Sequence, residues 1–177
     1  MTNNIAFKNI VLTTDLSDNA EAAAPYAMEL AAKFGATLHL VHVFENILYT
    51  GVLADGSMGY DPTDWLQHAE EDRKRRLQML AWKLAARDMV RVVGHYIHGE
   101  PTAEILKYAK ENKVDCIVMA THGRTGFSHL LFGSVAEKIV RSSPCPVLTI
   151  KPHPVAVVQE VAAVQAQADP ADVVMEG

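Results

Sequence analysis

The stretch VDCIVMATHGRTGFSHLLFGSVAEKIV, residues 114–140, runs from a strand pattern through a glycine loop into a helix pattern. Its first part, 114–120, is almost wholly apolar, which is typical of a central strand in a parallel sheet. Three glycines follow, at Gly123, Gly126 and Gly133. A glycine loop in this position is either a plain turn or a cradle for an anion, because glycine lets backbone N–H groups approach a ligand closely.

Strand and helix patterns alternate on both sides of this stretch. The predicted strands cover 8–14, 36–44, 90–99, 114–120 and 145–151. The predicted helices cover 19–34, a long segment that opens at 61–62, then 101–113 and 134–143. This alternation predicts an α/β protein with an open five-stranded parallel sheet, strand order 3-2-1-4-5, and helices on both faces.

Local signals place the helix ends. Asp18 and Glu21 are spaced for reciprocal capping of the first helix, and Gly35 is a typical stop. Pro25 predicts a kink or a late first turn in that helix. In the long helix we interpret the charged run EEDRKRR, residues 70–76, as a solvated face with i,i+4 pairs. The preceding segment, 45–60, is a mobile loop, a lid or a plain surface excursion.

Composition limits the class of protein. The 177 residues, 49% of them hydrophobic, suffice for one domain, which we assign to residues 1–151, with 152–177 as a flexible or weakly helical tail outside the core. The formal charge of −5 argues against a nucleic-acid partner. A secretory signal and a membrane-length apolar run are both missing from the sequence, so we expect a cytoplasmic protein without a membrane partner. Cys116 and Cys145 are expected to be buried or half-buried thiols.

The predicted strand order brings two polar segments together. Strand 1 ends in TTDLS, residues 13–17, and strand 4 runs into the glycine loop. Ligands of open parallel sheets bind beyond the carboxyl ends of strands where strand order reverses, so Asp15 and the glycine loop share one predicted crevice. The helix after Gly133 would point its free N–H groups at an anion there. The alternative is that Ser134 and Glu137 form a capping box and only close their own helix.

Familiar catalytic and metal motifs are missing from the sequence. The patterns GxxxxGK[ST], GxGxxG and GxSxG do not occur. His39 and His42 lie three apart on one strand and point to opposite faces, as do His95 and His98, so we predict no metal site. Two histidines flank the glycine loop, and His122 is interpreted as polar lining. Arg124 is either a bidentate phosphate ligand or a surface arginine.

Four motifs, in their order along the chain, resemble those of the universal stress protein family over about residues 6–151. They are TTDLS, the second strand LVHVF, the loop pattern Ala120-x2-Gly123-x9-Gly133-Ser134, and the closing SSPCPVLTIK. ATP-binding members of the family have glycine at the first loop position, where this chain has Ala120. Alanine adds one methyl group, which is compatible with binding if the φ angle of Ala120 is negative.

The resemblance implies a Rossmann-like fold and an ATP site, with Mg²⁺, where present, bound through the phosphates. Asp15 and the backbone of Val43 would hold the adenine, with Thr13 and Thr14 beside it. The ribose and phosphates would lie along the loop. The implied loop and helix residues are Ala120, Thr121, His122, Gly123, Arg124, Thr125, Gly126, Gly133, Ser134, Val135 and Ala136.

Three functions are compatible with this site. The first is an ATP-binding regulatory or stress-response protein, the second a slow ATPase or nucleotide-dependent enzyme, and the third an interaction module with an empty site. No positioned general base is evident near the phosphates, which favours binding over turnover, and the retained glycines argue against the empty module. The apolar last strand, Cys145 to Lys151, together with the resemblance, predicts a homodimer. The downstream partner and the stress are not predicted.

Overall fold

The elements alternate between strand and helix along the chain. The computed structural model describes residues 5–45, 63–88, 90–122, 133–151 and 173–176. The strands are β1 (Asn9–Thr13), β2 (Thr37–Phe44), β3 (Val92–His98), β4 (Cys116–Ala120), β5 (Val147–Ile150) and β6 (Val173–Glu176). The helices are α1 (Asp18–Glu21), α2 (Ala24–Phe34), α3 (Thr63–Asp88), α4 (Pro101–Glu111) and α5 (Ser134–Ser142).

The strands form one parallel sheet in the order β5-β4-β1-β2-β3-β6. The predicted order 3-2-1-4-5 of the first five strands is therefore confirmed. The sixth strand was not predicted, since the sequence analysis left 152–177 outside the core. It pairs with β3, Val92 opposite Val173, and so covers backbone groups that an edge strand would otherwise expose. Residues 152–172 lie outside the described part of the chain.

Two apolar layers enclose the sheet. One layer joins α2 and α3 to the sheet through side chains such as Met28, Leu77 and Leu84. The other joins α4 and α5 through Ile105 and Ile139. Strand β4 is buried along its whole length, as expected for a central strand covered on both faces. None of the described helices has the length and apolar character that a membrane crossing needs.

The first predicted helix is divided in two. Ser17, not Asp18, caps α1, since its hydroxyl accepts a hydrogen bond from the N–H of Ala20 at 3.2 Å. The predicted reciprocal capping by Asp18 and Glu21 is therefore wrong by one residue, because Asp18 already has helical backbone. Pro25 lies in the first turn of α2, where its missing N–H costs no helical hydrogen bond. This confirms the late first turn, one of the two alternatives predicted for Pro25. Gly35 ends α2 with a left-handed φ of 62°.

The charged run on α3 is only partly a solvated face. Lys74 and Glu70 form the expected i,i+4 pair at 2.7 Å. Arg73, however, lies over the ring of Phe44 at 5.0 Å, and Arg76 turns toward the sheet. The predicted helix start at 61–62 and the predicted loop at 46–60 lie outside the described residues.

Both cysteines are thiols of the predicted kind. Cys116 is buried in β4 and Cys145 is half-buried before β5. Burial raises the pKa of the Cys116 thiol, so that it stays protonated and unreactive.

Helix α4 begins at a carboxylate cap. Glu100 accepts a hydrogen bond from the N–H of Ala103 at 2.6 Å. Burial raises the pKa of Glu100, but hydrogen bonds from Ala103 and Thr102 lower it by more, and the net pKa lies below its ordinary value. This cap fixes the end of α4 that carries Pro101 and Ile105 to the functional site.

We expect Glu100→Ala to lower the free energy of unfolding by about 1 kcal/mol at neutral pH, because α4 loses its cap. Since the folded-state pKa of Glu100 is lowered, its contribution is present above the unfolded-state pKa and is lost as the pH falls through the folded-state pKa. In urea denaturation the difference from wild type should therefore shrink below about pH 4. Glu111→Ala, at the other end of α4, is the control and should change stability by less than about 0.5 kcal/mol. A difference for Glu100→Ala that is constant with pH would contradict this assignment.

Candidate functional site

The carboxyl ends of β1, β2 and β4 meet the starts of α4 and α5 around one cavity of about 380 Å³. This is within the usual size range of small-molecule sites. Of the predicted site residues, those that line the cavity are Thr13, Thr14, Asp15, Val43, Ala120, Thr121, His122, Gly133, Ser134, Val135 and Ala136. The other four, Gly123, Arg124, Thr125 and Gly126, lie outside the described residues, and their roles stay predictions.

The turn after β1 holds Asp15 at this cavity. Asp15 Oδ1 accepts hydrogen bonds from both the N–H and the hydroxyl of Ser17. The next residue, Leu16, has a φ of 61°, a left-handed conformation that is unusual for a bulky side chain. Its N–H donates to the hydroxyl of Thr14 at 2.9 Å, and its side chain is buried. The turn is therefore strained and firmly held, and it fixes Asp15 at the strand end.

Two neighbouring elements support the same turn. Arg76 of α3 donates to the carbonyl of Leu16 at 2.6 Å. The buried His42 of β2 contacts the carbonyl of Thr14 at 2.8 Å through Nδ1, which therefore carries the proton, since a carbonyl only accepts. Strand β2 and helix α3 thus fix the turn from both sides. Leu16 could not be singled out from the sequence, because a leucine in this conformation is not expected from local propensity.

The end of β4 forms the opposite part of the cavity lining. Ala120 belongs to the strand and has no positive φ, so the condition for alanine at this loop position is met. The hydroxyl of Thr121 lies 3.0 Å from His122 Nδ1. The carbonyl of Thr121 accepts a hydrogen bond from the N–H of Gly133 at 2.7 Å. This bond fixes the start of α5 on the end of β4.

Among the described residues, no side chain caps the start of helix α5. Its N-cap is Gly133, with a φ of −73° and a ψ of 160°, and Ser134 is the first helical residue. The capping box of Ser134 and Glu137, one of the two alternatives for this helix start, is therefore wrong, because a residue with helical backbone cannot act as the N-cap. Glu137 instead pairs with Arg141 at 3.0 Å. Ser134, Val135 and Ala136 line the cavity, and their first-turn N–H groups have no acceptor within the helix.

Sequence reasoning missed several lining residues. The apolar ones are Val41, Ile105 and Met119, and the others include Glu45 and Pro101. Glu45 directly follows β2, and Pro101 opens α4, so each lies where a strand end or a helix start meets the site edge. Their positions next to a strand end and a helix start could have identified them as lining residues from the sequence. The cavity therefore combines apolar and polar lining residues with a helix start that attracts anions.

A model of the universal stress protein family matches residues 6–151. The universal stress protein MJ0531 of Methanocaldococcus jannaschii is 32% identical over 145 residues, which cover 82% of each chain. Universal stress protein YxiE of Bacillus subtilis is 32% identical over 148 residues, covering 82% of this chain and 99% of the relative.

Solved structures resemble the same region. The structure of MJ0577 of Methanocaldococcus jannaschii matches with a TM-score of 0.71 at 26% identity, covering 84% of this chain and 99% of the other. A universal stress protein of Archaeoglobus fulgidus, solved in complex with dAMP, matches with a TM-score of 0.57 at 22% identity, covering 83% of this chain and 100% of the other. At this identity the second match shows the fold alone.

Gly133 has a packing role in addition to the ligand-binding role predicted for it. A Cβ added at Gly133 would lie 3.3 Å from the carbonyl oxygen of Thr121, a tight contact with backbone. We therefore expect Gly133→Ala to lower the free energy of unfolding by about 1 kcal/mol without any ligand present. Chemical denaturation measures this, and Ser134→Ala is the control, with a change below about 0.5 kcal/mol. An unchanged stability of Gly133→Ala would show that β4 and α5 separate easily.

Proposed function

The chain belongs to the universal stress protein family, and we propose that it is a regulatory protein that binds ATP in the cavity at the strand ends. The observation that carries the proposal is the start of α5, which no described side chain caps and whose first three residues line a cavity that also has apolar residues in its lining. This combination suits a ligand with an apolar base and an anionic tail. We place this activity in the cytoplasm, the compartment predicted from the sequence.

The phosphates would bind at the start of α5. The positive end of the helix dipole and the N–H groups of Ser134, Val135 and Ala136 favour an anion at that point. The exposed hydroxyl of Ser134, which does not cap the helix, can donate a further hydrogen bond. The predicted loop residues 123–126 would extend this site, and Mg²⁺ would bind through the phosphates.

The adenine would bind at the end of β2. Strand β1 pairs with β2 only as far as Thr13 opposite Val41, so β2 continues beyond its neighbour. Backbone N–H and C=O groups alternate sides along a strand, and those of Val43 therefore point to the same side as those of Val41. On that side β1 has ended, which leaves room for the polar edge of a base. Asp15 lines the same cavity.

A slow ATPase is the alternative function. Asp15 and Glu45 are carboxylates that line the cavity. Asp15 already accepts two hydrogen bonds from Ser17 through Oδ1, an arrangement that suits holding a ligand more than moving a proton. A protein of the same fold has been solved with dAMP, so the fold is able to hold an adenine nucleotide. The reason to expect one in this chain is its own cavity.

The variant Ser134→Asp separates folding from nucleotide binding. A carboxylate in the first turn of α5 favours the helix through the dipole, so we expect unchanged or slightly higher stability, by up to about 1 kcal/mol. The same charge repels phosphate, so the affinity for ATP should fall at least tenfold. Isothermal titration calorimetry measures the affinity, and thermal unfolding measures the stability.

The matched control is Ser134→Asn, which has nearly the same shape without the charge and should retain most of the affinity. Wild-type protein should also bind ATP more tightly than adenosine, because adenosine lacks the group that α5 attracts. Equal ATP affinity for the Asp and Asn variants would place the phosphates elsewhere. Complete absence of ATP binding to nucleotide-free wild-type protein would refute the proposed function.

We also propose a homodimer through the last core strand, Cys145 to Lys151. Strand β5 is an edge of the sheet, whereas β6 covers the β3 edge. Leu148 on β5 is 37% exposed and Val140 on α5 is 47% exposed. Apolar side chains beside an open edge favour pairing with a second copy.

We expect Leu148→Lys to convert the dimer to a monomer, because each twofold contact would bring two charges into the interface. Light scattering after size-exclusion chromatography measures the mass. Met79→Lys changes an exposed methionine on α3, away from β5, and should leave the dimer intact. A wild-type protein that is monomeric at high micromolar concentration would rule out this interface.

A further inference from the structure

Three side chains outside the nucleotide cavity converge between the sheet and α4. Nδ1 of His39 lies 3.1 Å from Nε2 of His95, and the hydroxyl of Tyr108 lies 2.9 Å from the first and 2.8 Å from the second. The two ring nitrogens and the hydroxyl oxygen therefore form a nearly equilateral triangle. His95 is buried, and His39 and Tyr108 are half-buried.

The sheet register brings the two histidines together. Val41 is paired with His95, and His39 lies two residues before Val41 on β2. Residues two apart share a face, so His39 and His95 both face α4, which carries Tyr108. Within each strand the histidines lie three apart and point to opposite faces, and no metal site was predicted from the sequence. The approach of His39 to His95 across strands depends on the register, which the sequence does not show.

The surroundings of His39 orient its ring. Asn9 Nδ2 donates to the carbonyl of Asn112 at 3.4 Å, which turns Asn9 Oδ1 toward His39 Nε2, also at 3.4 Å. An acceptor on that side favours a proton on Nε2 and leaves the lone pair of Nδ1 directed into the triangle. A polar acceptor behind the second ring nitrogen is also the usual support of a metal-binding histidine.

The triangle then has fewer hydrogens than contacts. With His39 in this tautomer, the three contacts share at most two hydrogens, one from the Tyr108 hydroxyl and one from His95 Nε2. At least two of the three contacts therefore share one hydrogen. A cation on the axis of the triangle would satisfy all three lone pairs at once.

The size of the triangle fits one ion. Three ligand atoms at about 2.1 Å from a metal lie about 3.0 Å apart when they are at right angles to one another, as on one face of an octahedron, and about 3.4 Å apart at the tetrahedral angle that Zn²⁺ prefers. The observed separations of 2.8, 2.9 and 3.1 Å surround the right-angle value, and an outward shift of each ligand atom by a few tenths of an ångström reaches the tetrahedral one. We propose that His39, His95 and Tyr108 bind a divalent transition-metal ion of the class that prefers imidazole, such as Zn²⁺, Ni²⁺ or Cu²⁺.

Binding is balanced by the release of one proton. The two imidazoles bind the ion as neutral ligands, and the Tyr108 hydroxyl binds as a phenolate after its proton passes to solvent. Among the described residues, no group of three His, Cys, Asp or Glu side chains is placed to hold a metal ion. The proposed site differs because its third ligand is a tyrosine.

The test uses full-length protein without an affinity tag, freed of metal and nucleotide. Zn²⁺ titrated into this protein in a calorimeter should bind with one equivalent per chain, and Cu²⁺ should give a phenolate-to-metal charge-transfer band. Tyr108→Phe keeps the ring and should lose that band, with Zn²⁺ affinity reduced about tenfold or more. His39→Gln and His95→Gln should lose the one-equivalent binding.

His68→Gln is the matched control, since His68 is an exposed histidine on α3. It should keep both the Zn²⁺ affinity and the Cu²⁺ band. Circular dichroism and ATP affinity identify a variant that has failed to fold. If the histidine variants fail to fold, the test depends on Tyr108→Phe, which is the mildest change. Absence of Zn²⁺ binding to wild-type protein, or binding that Tyr108→Phe leaves unaltered, would reduce the triangle to a hydrogen-bonded cluster and overturn the proposal.

Discussion

The hydrogen bond from the N–H of Gly133 to the carbonyl of Thr121, at 2.7 Å, connects the two halves of the site. It closes the gap between the end of β4 and the start of α5, and it leaves no room for a side chain at position 133 without a tight backbone contact. With α5 held there, its first three residues line the same cavity as the ends of β1 and β2. The anion-attracting end of the site therefore depends on one backbone contact more than on any charged side chain that the structure describes.

The other end of the site depends on the strained turn after β1. Leu16 adopts a left-handed conformation that costs on the order of 1–3 kcal/mol, and the contacts that offset this cost come from Thr14, from Arg76 and from burial of the Leu16 side chain. Arg76 lies on α3, so this helix supports the turn as well as the sheet. The two ends of the cavity are thus held by different elements, one by β4 and α5 and the other by β1, β2 and α3. The pairing of β1 with β4 joins the two ends.

Much of the fold was predictable because its signals are local and periodic. Alternating apolar strands and helices gave the strand order, and Pro25 and Gly35 marked real helix ends. The capping box at Ser134 failed because the motif does not show which residue is the first with helical backbone. Strand β6 was missed because four residues have too little pattern, and its pairing depends on an open β3 edge far along the chain. The cluster of His39, His95 and Tyr108 was missed because it is created by the register and by the packing of α4, neither of which any one segment encodes.

The central claim is that the start of α5 binds phosphate, and amide chemical shifts test it most directly. In ¹⁵N-labelled protein freed of nucleotide, addition of ATP should shift the amide signals of Ser134, Val135 and Ala136 strongly, because a phosphate oxygen would accept hydrogen bonds from these groups. Addition of adenosine should shift signals near Asp15 and Val43 but leave those three nearly unchanged. ATP shifts that are confined to other residues, or that adenosine reproduces at the start of α5, would contradict the account.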